Sequence, residues 1–322
     1  MDNLYIQLIA AMITAFLISA FLGPITIPFL KKLKFGQSIR EEGPKSHQVK
    51  SGTPTMGGIL ILTSILFTVA FWAPSSMEAW LAVLATLAFG AIGFWDDFIK
   101  VVRKRSLGLR AKHKLLLQVI VSILFTLLYI HTAGGNSELK IPYIDMTLDI
   151  GWLYFPFVVI WFTGFSNAVN LTDGLDGLAA GVTAVVSAAL LYIAYDFGSP
   201  GIMVFCAALL GACLAFLLFN HYPAKVFMGD TGSLALGGAI TAVSVLTYTE
   251  LLLIVIGAVY VIETLSVILQ VISFQTTGRR IFLMSPLHHH FELKGYKEVQ
   301  VVRGFCIAAF ISAVLGCLGN IS

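Results

Sequence analysis

No charged residue interrupts the chain between residues 5 and 30, and apolar runs of similar length recur to the C-terminal end. A helix needs about 20 apolar residues to cross the hydrocarbon core of a bilayer. In lipid, only helices and closed barrels satisfy every backbone polar group. A barrel would show short segments of alternating character rather than continuous runs. The pattern therefore predicts an all-α polytopic membrane protein, folded as one integral membrane domain over residues 1–322. Charge content agrees: 11% of the 322 residues are charged, where a soluble domain carries about 25%. The first run is long enough to be a retained span rather than a cleaved leader. Cys206, Cys213, Cys306 and Cys317 all lie inside apolar runs, which predicts core packing rather than a disulfide framework or metal cluster.

About ten transmembrane helices are predicted, near residues 4–29, 56–73, 79–99, 114–131, 151–168, 178–195, 200–219, 232–248, 251–274 and 301–320. The connection over 132–150 carries Gly134, Gly135 and Pro142 and is long enough for a small hairpin. Nineteen of the 20 Lys and Arg residues fall in or beside the connections that follow the odd-numbered spans; Lys140 is the exception. The positive-inside rule then puts those connections in the cytoplasm and both termini outside. Nine of the 17 acidic residues share that face. Lysines there serve as orientation signals and attract anionic lipid. A basic face dotted with carboxylates also suits a phosphate-bearing substrate with a metal ion.

The densest polar stretch is Asn167-Ala-Val-Asn170-Leu-Thr-Asp173-Gly174-Leu175-Asp176-Gly177, set between apolar spans. Its polar residues step by three, so on a continuing helix they would share one face. Carboxylates at or near membrane depth are costly, which points to function. The third span ends in Asp96-Asp97-Phe-Ile-Lys100. Paired carboxylates at a helix C-terminus oppose the dipole and call for a cation, from Lys100, Lys104, Lys112, a divalent ion or a proton.

Asn220 opens a connection that ends in Lys225-Val-Phe227-Met-Gly229-Asp230-Thr-Gly-Ser. It reads as a helix start with a carboxylate at the positive end, a spot that suits Mg²⁺ with substrate phosphates. Phe227, in a polar loop, offers a stacking face, although an aromatic is also ordinary at a membrane interface. His288-His289-His290 is internal; adjacent histidines do not all reach one ion, so phosphate hydrogen bonding or proton positioning suits them better than zinc. The loop from Gly43 to Gly58 is punctuated by glycine and proline but lacks P-loop and dinucleotide spacing. It is expected to fold over a ligand. Glu263, mid-span in the ninth helix, should face protein or a polar groove. That helix is also expected to bend away and frame a lipid groove.

Taken together, these motifs resemble the polyprenyl-phosphate N-acetylhexosamine-1-phosphate transferases, in order and over residues 23 to 300. The His288–His290 segment and the 43–58 loop are similar to the branch of that family whose donor carries a muramoyl pentapeptide. The resemblance implies transfer of phospho-MurNAc-pentapeptide from UDP-MurNAc-pentapeptide to undecaprenyl phosphate, giving lipid I and UMP with Mg²⁺. It also implies an active site on the cytoplasmic face of a bacterial inner membrane, a homodimer, and nucleoside antibiotics at the uridine site. Nucleic acid is not an expected partner.

By the same resemblance Asp230 is the metal ligand. Asp96, Asp97, Lys100, Lys104, Lys112, Asn167, Asn220 and the three histidines make up the catalytic set. Lys50, Gly174, Leu175, Asp176 and Phe227 would line the uracil pocket, and Thr55, Asn170, Asp173 and Gly229 the ribose and phosphate region. Gln270 joins the substrate-binding set. Direct attack and a phospho-aspartate route both fit. A sister enzyme using UDP-N-acetylglucosamine is the nearer alternative, and the histidine triplet opposes it. A transporter would place most acids mid-span and show repeat symmetry between halves, and neither pattern is seen here.

Overall fold

The computed structural model of this chain describes residues 2–33, 50, 52–103, 107–144 and 146–320. Lys104, and the expected ligand loop over 43–49 and at Ser51, lie outside the described residues, as do Lys34, Arg40, Glu41, Glu42 and Arg105.

The described residues form α1 (Asp2–Lys32), α2 (Gly58–Trp72), α3 (Met77–Val102), α4 (Ala111–Thr132), β1 (Glu138–Lys140), β2 (Thr147–Asp149), a short 3₁₀ turn (Gly151–Leu153) and α5 (Tyr154–Thr172). They continue with α6 (Leu178–Phe197), α7 (Pro200–Asn220), α8 (Gly229–Leu246), α9 (Glu250–Ile256), α10 (Ala258–Thr277), α11 (Leu287–Leu293) and α12 (Glu298–Gly319). Nine of these helices are long and apolar enough to cross a membrane, and α2 is a shorter apolar one. The all-α polytopic expectation therefore holds. At 15 residues, α2 spans only about 22 Å. The chain reaches that depth through residues 54–57, all buried. Non-helical backbone is tolerated there because it is bonded to protein: Phe227 N donates to Pro54 O at 2.8 Å, Gly57 N to Phe227 O at 2.9 Å and Gly58 N to Met228 O at 3.0 Å.

Three expectations need correction. The ninth span is two helices, α9 and α10, because the chain turns at Gly257 (φ −94°, ψ 23°). The helix carrying Asn167 and Asn170 stops at Thr172. Gly174 and the left-handed Gly177 (φ 81°) turn the chain into α6, so Asp173 and Asp176 sit on a loop. The helix expected from 232 begins at Gly229, which puts Asp230 in its first turn. The hairpin expected over 132–150 is present, with antiparallel β1 and β2 pairing Glu138 with Asp149 and Lys140 with Thr147.

The bundle is organised around α8, whose side chains are buried along almost its whole length. It packs against α3, α5, α2, α6 and α9. Between helices in lipid there is no hydrophobic driving force, so close backbone approach and van der Waals contact do the packing. Small residues allow that approach. A Cβ at Gly93 of α3 would lie 2.0 Å from Asp230 O, and one at Gly237 of α8 would lie 2.4 Å from Ser166 Cα of α5. By contrast, α10 is mostly exposed and presents Ile262, Leu265, Ile268, Leu269 and Ile272 outward. It packs on α5, α9, α11 and α12.

Candidate active site

At one end of the bundle meet the C-terminal half of α3, the N-terminal turns of α4 and α8 and the C-terminal turn of α5. Asp96, Asp97 and Asp230 offer carboxylate oxygens that all lie within 4.8 Å of one another. Lys100, one turn beyond Asp96 on α3, reaches all three. Its Nζ is 2.6 Å from Asp96 Oδ2, 3.2 Å from Asp230 Oδ1 and 3.6 Å from Asp97 Oδ1. Lys114 of α4 lies 2.8 Å from Asp230 Oδ2. Asn170 of α5 donates to Asp230 Oδ1 at 3.1 Å and to Ser233 Oγ at 2.8 Å.

The carboxylates are not equivalent. Asp97 is buried and accepts from Thr231 N (2.9 Å), Thr231 Oγ1 (2.7 Å) and Asp230 N (3.2 Å). It therefore satisfies the orphan N–H groups of the first turn of α8 and fixes that turn to α3. Asp96 accepts from Leu109 N at 2.7 Å, which draws the 107–110 segment over the cluster. Asp230 is the most open of the three, with 16% of its side chain exposed. Gly229 (φ 71°) turns the chain into α8, and a Cβ there would meet Asp97 Oδ2 at 2.5 Å and Thr55 Oγ1 at 2.6 Å. Only glycine fits between them.

Among the described residues, three carboxylates against the two ammonium groups of Lys100 and Lys114 leave a deficit of positive charge. The donors are hard oxygens. That composition fits a divalent cation of the magnesium or calcium type. Asp173, on the adjacent loop, is raised well above the usual carboxylate range by burial and then by the charges of Asp230, Asp97 and Asp176.

A second polar cluster sits beside the first. Lys50 Nζ bonds Asp176 Oδ1 at 2.7 Å and Glu298 Oε1 at 2.6 Å. Burial pulls the ammonium down, but the two carboxylates outweigh it and leave Lys50 above its ordinary value. Asp176 Oδ2 accepts from Ala224 N at 2.9 Å. Leu175 is buried in the same loop, and Phe227 is half-buried on the facing one.

The histidines follow on α11. His288 is fully buried, with no hydrogen-bond partner at either ring nitrogen among the described residues. Its Nδ1 lies 3.2 Å from Glu263 Oε2, too poorly aligned to hydrogen-bond. Glu263 accepts instead from Leu287 N (2.7 Å) and His288 N (3.2 Å), which anchors the start of α11 to α10. A Cβ at Gly174 would lie 2.1 Å from His288 Nε2, so the 173–177 loop and the triplet are built against each other. His289 Nδ1 pairs with Glu292 at 2.8 Å. His290 Nδ1 accepts from Leu283 N, and slight burial followed by Lys294 hold its imidazole below the ordinary value.

Four expected site residues are not among the contacts of the carboxylate cluster. Asn220 is buried, accepting from Gly177 N (3.0 Å) and donating to Val226 O (2.9 Å). Asn167 donates to Gln118 Oε1 and Thr163 O. The Gln270 amide is engaged by Ile281 N, Phe282 N and Phe282 O. Lys112 is exposed, and Lys114, two residues on, reaches Asp230 in its place. Lys114, Thr231, Ser233 and Glu298 had not been singled out from the sequence.

A helical membrane bundle that gathers carboxylates and lysines at one end supplies the hard oxygen ligands and positive charge that a site for phosphorylated substrates needs. The family profile described as glycosyl transferase family 4 matches residues 79–248, from the first turn of α3 to just past α8. A second profile, phospho-N-acetylmuramoyl-pentapeptide-transferase signature 1, matches residues 50–62, from Lys50 into α2. The chain is 55% identical over 305 residues to the phospho-N-acetylmuramoyl-pentapeptide-transferase of Bacillus subtilis, covering 94% of each. It is 55% identical to that of Halalkalibacterium halodurans over 96% of each, and 54% identical to that of Geobacillus kaustophilus over 96% of each. This chain belongs to the phospho-N-acetylmuramoyl-pentapeptide-transferase family, and it is a multi-pass bacterial membrane protein.

Proposed function

We propose that the chain transfers phospho-MurNAc-pentapeptide from UDP-MurNAc-pentapeptide to undecaprenyl phosphate, releasing UMP and forming lipid I for peptidoglycan synthesis. The observation that carries this reading is the Asp96–Asp97–Asp230 cluster with Lys100 and Lys114, in a chain that carries the family signature from Lys50 onward. The basic end faces the cytoplasm, where the nucleotide donor is made, and both termini lie outside. The whole chain acts as one membrane domain.

An acceptor phosphate oxygen attacks the sugar-side phosphorus of the donor, and the bond to the UMP oxygen breaks. Both reactants are anionic, so the protein's work is charge compensation and alignment. Lys100 and Lys114 supply fixed positive charge beside the reacting groups, where low dielectric strengthens each interaction. Asp97 holds the first turn of α8, whose positive dipole end faces the same site. Asp230 and Asp96 would hold Mg²⁺, which supplies charge stabilisation of the departing UMP when bound. Lys50, Asp176 and Phe227 would meet the uridine end of the donor.

Chelation tests the metal part of this reading. Purified protein given both substrates is expected to stop releasing UMP in EDTA and to recover on re-addition of Mg²⁺ in excess. Continued release in EDTA, with protein-bound metal shown to be absent, would contradict it.

A further inference from the structure

We infer that Glu298, the first residue of α12, is a positioning residue for the nucleotide end of the donor, acting through Lys50 and the Asp176 backbone. This rests on the uridine-site reading of Lys50 and Asp176 given above. A single oxygen, Glu298 Oε1, accepts from Lys50 Nζ at 2.6 Å and from Asp176 N at 2.8 Å. It thereby joins the chain ahead of α2 to the loop after α5, across sequence separations of 248 and 122 residues. Asp176 in turn holds Ala224 N on a third loop. Lys50, Asp176 and Glu298 keep only 15%, 3% and 10% of their side chains exposed.

An ammonium on a four-carbon stem is a mobile point charge unless something holds it. Here two carboxylates take two of its three N–H directions, which fixes the third. Glu298 also sits at the N-terminal turn of α12, where the helix dipole favours a negative charge. Removing its charge leaves Lys50 with Asp176 as its carboxylate partner among the described residues, and Asp176 N with a weaker acceptor. The uracil end lies away from the breaking bond, so loss of this alignment weakens ground-state and transition-state binding alike.

The test is steady-state UMP release by the full-length protein, with donor varied at saturating undecaprenyl phosphate and then acceptor varied at saturating donor. Glu298→Gln is expected to raise the donor KM about tenfold, with kcat within about twofold and the acceptor KM unchanged. In a Lys50→Met background the same change is expected to add little. Gln300→Ala, which removes only the bond from Lys297 N at the same helix start, is expected to leave both KM values alone. If Glu298→Gln does not fold, Glu298→Asp is read in its place and should give a smaller rise of the same kind. A donor KM raised by Lys50→Met but not by Glu298→Gln would overturn the inference alone, as would fully additive effects in the double variant. A donor KM indifferent to Lys50→Met would overturn the uridine-site reading and this inference with it.

Discussion

Asp230→Asn is expected to lower UMP release at saturating substrates by about 10³-fold while the protein still folds. Both oxygens of Asp230 are in use, with Lys100 and Asn170 at Oδ1 and Lys114 at Oδ2. An amide of the same shape keeps one acceptor and loses the charge that two half-buried ammonium groups share. It also removes the most accessible carboxylate from any metal shell. The fold should survive, because the contact that fixes α8 to α3 uses the backbone N–H of Asp230 rather than its side chain. Paired measurements of UMP release and thermal unfolding check this. Turnover within tenfold of the parent, in well-folded protein, would remove Asp230 as the metal ligand and as the centre of the site.

Gly93→Ala has the second large expected effect, and it acts through packing. The added Cβ would stand 2.0 Å from Asp230 O and 2.6 Å from Thr231 N, so α3 and α8 must separate by more than an ångström. That movement breaks the bonds from Thr231 and Asp230 to Asp97 and pulls Lys100 from Asp230. Overpacking together with lost buried hydrogen bonds to a charge predicts destabilisation of about 3–5 kcal/mol. A shift of 1 Å at the reacting groups would by itself cost about 10²-fold in rate. Gly164→Ala, where a Cβ meets open space, is the matched control and should be close to neutral. Thermal unfolding in detergent with activity on the same samples measures both effects. Parent-like stability for Gly93→Ala would contradict the close α3–α8 approach.

The bundle was legible in the sequence because each span is a continuous apolar run, and length and charge bias act locally. A hydropathy window averages over one glycine, so the break at Gly257 between α9 and α10 left no trace in it. Asp96, Asp97 and Asp230 stood out as carboxylates against apolar spans. The choice between Lys112 and Lys114 did not, because two residues on a helix differ by about 200°. Which one faces the site depends on how α4 is rotated in the bundle. Stepping by three from Asn167 suggested one helical face through Asp176, but Gly174 and Gly177 end that periodicity after Thr172. Glu298 reads locally as an ordinary acid in the first turn of a helix, and its partners lie more than a hundred residues away. The amide of Asn220 illustrates the converse: a motif position was visible, but not that the side chain faces backbone.

The most direct test of the central claim is a donor comparison. UMP release by the purified protein is measured with undecaprenyl phosphate and Mg²⁺, using UDP-MurNAc-pentapeptide and UDP-N-acetylglucosamine in parallel. The account predicts release with the muramoyl donor only, matched by formation of a lipid-linked muramoyl pentapeptide. Release with UDP-N-acetylglucosamine alone, or from neither donor in protein shown to be folded, would contradict it.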